Sequence, residues 1–179
     1  MNNLTLAAML FSALTWAGEG PVHKPALDSF GPARYAAPAG WELQKKDSAA
    51  DPWRRFTQDS DVIEIKLVGG KGSRYASSAD YLAGFEATTM GKPPEKLRQA
   101  RVAGLKVWIW RHGYPINLGD PHVVDPRPPQ LAREEFCLIP CGKKFLVLKW
   151  AHESPIPDLN AVGKKAWESF LGSLALEKK

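Results

Sequence analysis

Asp120, His122, Asp125 and Arg127 fall in one short run, Asp-Pro-His-Val-Val-Asp-Pro-Arg. Two carboxylates and an imidazole within six residues are the donor types that hold a divalent cation. With Arg127 beside them they would suit a metal- or small-molecule-dependent enzyme. The same run also reads as a plain connection, because Asp-Pro pairs start turns and His122 would then face solvent. Three ligands on a Pro-rich loop lose ordering entropy before coordination stabilises anything, and no fourth is near in sequence. The expectation is no tightly held metal and no cofactor, with this loop as a ligand or partner contact.

Other chemistry-bearing residues are scattered. The two cysteines, Cys137 and Cys141, lie in Phe-Cys-Leu-Ile-Pro-Cys-Gly-Lys-Lys-Phe, which reads as a hairpin. Pro140 suits the second position of a type I turn and Gly142 a left-handed bulge, placing Cys137 opposite Phe145 and Cys141 at the tip. Residues four apart on a strand are about 13 Å apart, and a disulfide needs Cα atoms within about 7 Å. A bridge therefore requires an irregular turn, and a bridge or free thiols both stay open. Trp108 and Trp110 share a strand face with His112, and with Trp150 they suggest an apolar ligand groove or, alternatively, core. The four histidines come with no Gly-x-Ser-x-Gly elbow and no evident nucleophile. Gly69-Gly70-Lys71-Gly72-Ser73 imitates a phosphate loop but lacks its spacing and the helix that should follow.

The elements that must position these groups follow from periodicity. Short aromatic strands are expected at 41–44 and 53–57. Residues 61–68 alternate, with Ile63, Ile65 and Leu67 on one face and Glu64 and Lys66 on the other. Ser77 or Ser78 caps a helix with Asp80 in its first turn and Leu82, Phe85 and Thr89 on one face. Gly91 and Pro93-Pro94 end it. Strands follow at 96–102, 105–114, 131–139 and 144–152, with a Pro-rich loop at 115–130. Asp158 caps a closing helix with Leu159, Val162, Ala166, Trp167, Phe170, Leu171 and Leu174 on its apolar side. Three strands, a helix, four strands and a helix predict the α+β class: a mostly antiparallel sheet with helices packed on it.

The chain has 179 residues and a formal charge of +5, with 44% hydrophobic and 24% charged residues, a composition that supports a real core. Lys92, Lys96, Arg98, Arg101, Lys106 and Arg111 face only Glu95 in their stretch. Such a stretch suits anionic lipid, an acidic partner, or a solvated strand face. Residues 4–14 are almost purely apolar and precede Thr15-Trp16-Ala17. That predicts a cleaved signal peptide over 1–17 and a secreted or periplasmic protein, which argues against nucleic acid as a partner. An extended Gly/Pro/Ala leader is expected over 18–37 and a single domain over 38–179.

Pro38-Ala39-Gly40-Trp41, Ser78-Ala79-Asp80-Tyr81-Leu82, Val102-Ala103-Gly104-Leu105 and Trp167-Glu168-Ser169-Phe170-Leu171-Gly172-Ser173-Leu174 occur in this element order. In these features the chain resembles the PsbP-like superfamily, which takes in the photosystem II extrinsic subunit, a Ran-binding import factor and DcrB-type envelope proteins. The resemblance covers nearly all of residues 18–179. It implies an α/β/α sandwich and a binding or accessory role, since these proteins are mostly not enzymes. No functional residue carries over, and the Pro-rich loop and the lack of a lipobox Cys depart from the envelope lipoproteins. The expected function is a secreted, non-enzymatic binding or accessory domain of the cell envelope whose partner is another envelope protein. An enzyme using the 120–127 loop and a peripheral binder of anionic membrane through 92–111 are the alternatives.

Overall fold

The computed structural model describes residues 27–88, 93–115, 131–153 and 161–177. The apolar run at 4–14, the expected cleavage point, Asp158, Leu159 and Thr89 lie outside them, as do residues 116–130 of the Pro-rich loop. Seven strands form the main sheet: β3 (Glu42–Lys46), β4 (Trp53–Gln58), β5 (Asp61–Val68), β6 (Glu95–Val102), β7 (Leu105–Pro115), β8 (Leu131–Cys141) and β9 (Lys144–His152). Their order is β3-β4-β5-β9-β8-β7-β6, and every neighbouring pair is antiparallel. Helices α1 (Ser78–Thr88) and α2 (Ala161–Ser173) pack on the sheet, giving the α+β class that the element order predicts.

β9 is central because both of its faces are apolar. Leu146, Leu148 and Trp150 face α2, and Phe145 and Val147 face α1. The α2 side holds the main core: Phe56, Ile63, Ile65, Ile109, Cys137 and Ile139 meet Trp167, Phe170, Leu171 and Leu174. At full burial, each large aliphatic side chain contributes roughly 1.5–3 kcal/mol. Val162 departs from the expected apolar side of α2 and is 66% exposed. On the other side, Phe85 of α1 stacks on Phe136, and Tyr81 meets Phe145 edge-on. Ser77 is the N-cap of α1: its Oγ accepts the Asp80 N–H at 3.1 Å.

Residues 27–36, expected as extended leader, instead form a hairpin. β1 (Leu27–Phe30) pairs with β2 (Ala33–Ala36), and β2 also pairs with β10 (Ala175–Leu176) after α2. Phe30, Ala33 and Tyr35 are buried against the α2-side core. The run is too short and too rich in Gly and Ala for its alternation to announce a strand.

The β8–β9 hairpin also corrects its expected register. Pro140 lies inside β8 opposite Phe145, and the turn is Gly142-Lys143 between Cys141 and Lys144. Gly142 has φ +67°, as the first central residue of a two-residue II′ turn requires. Cys137 therefore faces Leu148 and not Phe145. Both thiols are free.

Candidate interaction surface

The β6–β7 hairpin carries most of the basic run, and its geometry divides that run. Lys96 pairs with Trp110, and Arg98 with Ile109, across a bulge between Lys96 and Arg98. Simple alternation would put residues 96 and 98 on one face; the extra residue sends them to opposite faces. Arg98 lies on the α2 side and donates to Glu168. Arg111 lies there too, 3.9 Å from Glu135, which also binds Lys164. Lys96, Arg101 and Lys106 lie on the α1 side with Gln99, Trp108 and Trp110. Among the described residues, none of these three cations has a carboxylate at ion-pair distance. Lys92 falls outside the described residues, as do Asp120, His122, Asp125 and Arg127.

The tryptophans do not form one groove. Trp150 is on the α2 face, 4% exposed, with its indole N–H on Asp61 at 3.0 Å. Trp108 and Trp110 are on the α1 face, where Trp108 is 39% exposed and Trp110 half-buried. Lys96 Nζ lies over both rings, 5.2 Å from the Trp108 centroid and 5.5 Å from that of Trp110. Cation–π attraction of roughly 0.5–1 kcal/mol per exposed contact holds the ammonium in place. Trp110 lies opposite Phe136, which Phe85 of α1 covers. The Trp108 floor is thus a ledge, walled by α1 on one side and open at the β6 edge on the other.

Two buried imidazole–carboxylate pairs escape sequence reasoning, because only strand register brings them together. His112 Nδ1 is 3.0 Å from Glu134, its cross-strand partner, and Lys149 reaches the same carboxylate at 3.6 Å. His152 Nδ1 is 3.1 Å from Asp61, its partner across β5 and β9. The Nε2 atom of each ring is buried with no hydrogen-bond partner among the described residues. A carboxylate that orients an imidazole is half of a general-base arrangement, but neither ring is hydrogen-bonded to a Ser, Thr or Cys side chain among the described residues.

The thiols lack nucleophilic character. Burial pushes the Cys137 thiol up to about 12, opposed by the weaker pull of Arg98. Burial also raises the Cys141 thiol, against a backbone hydrogen bond from Leu146. Both stay protonated at neutral pH, the unreactive form. Among the described residues, no group of three or more His, Cys, Asp and Glu side chains is placed to hold a metal ion. The Gly69–Ser73 turn is a structural clamp: Ser73 Oγ accepts the Gly69 N–H at 3.0 Å and donates to Asp51 at 2.6 Å.

No family model and no curated protein sequence matches this chain. Among solved structures it is similar to a protein from Bacteroides thetaiotaomicron VPI-5482, with 8% identity and a TM-score of 0.47 over 83% of this chain and 46% of that one. The chain thus spans less than half the length of that protein. It is also similar to LpqN, involved in cell envelope biogenesis of Mycobacterium tuberculosis, with 14% identity and a TM-score of 0.45 over 82% and 83% of the two chains. At these scores neither likeness assigns a role.

Proposed function

We propose that this protein is an exported, non-enzymatic binding module of the cell envelope that works by protein–protein contact through the α1 side of the β6–β7 hairpin. One observation carries the reading: an exposed tryptophan in mid-strand, Trp108, shares its face with three cations that have no acidic partner among the described residues. Tryptophan and arginine are the residue types in which interface binding energy concentrates. A partner seated on this face would bury the indole, which is 39% exposed.

Export is supported by the apolar run at 4–14 and the small residues at its end. Within the main sheet, three strands precede α1 and four lie between α1 and α2, an order that supports the PsbP-like layout of the sequence resemblance, and with it a binding or accessory role. The raised thiols and the two histidine pairs, which have no hydroxyl or thiol partner among the described residues, favour binding over catalysis.

The test is site-specific photocrosslinking in the native host. A photoreactive residue at Gln99, which is exposed on this face, is expected to yield a discrete adduct with one polypeptide. The same residue at Lys45, exposed on β3 at the opposite edge of the sheet, is expected to yield none. No adduct at Gln99, or equal adducts at both sites, rules out this face as the contact.

A further inference from the structure

We infer that the ledge floored by Trp108 receives an acidic segment of the partner, with carboxylates on Lys96, Arg101 and Lys106 and an apolar side chain against the indole. The inference rests on the contact surface assigned above and adds the chemistry of what occupies it.

Charge complementarity is the first argument. The hairpin's two faces carry cations in similar number but are balanced differently. On the α2 side Arg98 meets Glu168 and Arg111 meets Glu135. On the α1 side Arg101 and Lys106 are direct cross-strand partners of like sign, an arrangement that is destabilising by itself. An acidic segment relieves that repulsion, and a neutral or basic one does not. Lys96 supplies the second argument. Its ammonium is held over two indoles, so little side-chain entropy remains to be lost when a carboxylate arrives.

Apolar area selects a polypeptide over a bilayer. Among the described residues, Trp108 is the one large apolar side chain exposed on this face, too little to seat in a membrane. The sheet edge is a poor alternative seat. The bulge in β6 interrupts its ladder, and charged side chains line the strand, both of which discourage strand addition.

The test uses the full chain and three probes: a short Asp/Glu-rich peptide with one central Leu, its Asn/Gln analogue, and vesicles of mixed phosphatidylglycerol and phosphatidylcholine. Binding is read by polarisation of labelled peptide and by Trp fluorescence. The acidic peptide is expected to bind and the amide analogue not to. The double reversal Lys96→Glu with Arg101→Glu should weaken binding about tenfold or more, and Trp108→Ala should do the same. The control reversal Lys45→Glu with Lys46→Glu changes net charge equally at exposed sites on β3, the opposite edge of the sheet, and should cost about twofold or less. All altered side chains are exposed, and an unchanged denaturation midpoint checks that each variant folds. Equal losses in the patch and control variants would show non-specific attraction and overturn the inference. So would binding to vesicles without binding to peptide. A Gln99 adduct in cells with no affinity for the acidic peptide would also overturn it, while leaving the contact surface itself standing.

Discussion

Gly163 lets α2 pass close over Asp61 of β5. A Cβ at this position would lie 2.1 Å from the Asp61 carboxyl group. Asp61 has little room to yield, because the Trp150 indole and the His152 ring both bind it. Gly163→Ala therefore sets two effects against each other. Helix propensity gains about 1 kcal/mol. Overpacking costs about 1–3 kcal/mol, and disturbing buried hydrogen bonds costs a similar amount. The loss wins, and a urea midpoint should fall by the equivalent of about 2 kcal/mol; a raised midpoint would mean that α2 does not seat on Asp61. The two thiols offer a second test at this scale. Cys137 is fully buried with its thiol pushed up to about 12, while Cys141 is half-buried. Iodoacetamide at mild alkaline pH should label Cys141 slowly in the folded protein and Cys137 only after unfolding, as read by peptide mass. Equal labelling of the folded chain would contradict the hairpin register.

The β6–β7 hairpin turns through Ala103 and Gly104, at φ +50° and +78°. Both central residues at positive φ make this a type I′ turn, which favours Asn-Gly. A left-handed alanine costs about 1–2 kcal/mol, so Ala103→Asn should stabilise the protein by roughly 0.5–1 kcal/mol without touching the Trp108 ledge. A thermal melt reads the gain, and a lower midpoint would exclude the turn type. This hairpin also shows how much the sequence discloses. Alternation in residues 61–68 and 105–114 announces strands, and their order announces the fold class, because burial imposes a period that survives in the residue types. Register is another matter. Lys96 and Arg98 are two apart and read as neighbours on one face until a bulge separates them. Cys137 is legible as a strand residue, but its partner depends on whether the chain turns at Pro140 or Gly142, which the residue types alone leave open. The ledge is half legible for the same reason: its tryptophans and cations are visible in sequence, and their gathering on one face is not.

At the scale of the whole molecule, the start and end of the described chain are fastened together. β2 pairs with β1 on one side and with β10 on the other, and Arg34 binds Glu177. Tyr35 lies 5.2 Å from Phe170 and 6.0 Å from Phe56, centroid to centroid, so the β1–β2 hairpin closes the core on the α2 side. A chain begun at residue 38, where the Pro-Ala-Gly-Trp motif opens, would leave that core uncovered and β10 unpaired. Truncating one large buried aromatic costs about 3–5 kcal/mol. Losing Phe30 and Tyr35 together approaches the whole stability of a typical domain, about 5–15 kcal/mol. A chain begun at residue 27 keeps every one of these contacts. Its urea midpoint should match that of the 18–179 form, whereas the chain begun at 38 should lose its near-ultraviolet circular dichroism and its cooperative transition. A native midpoint in the shorter chain would demote the hairpin to a surface attachment and move the edge of the folded unit back to residue 38.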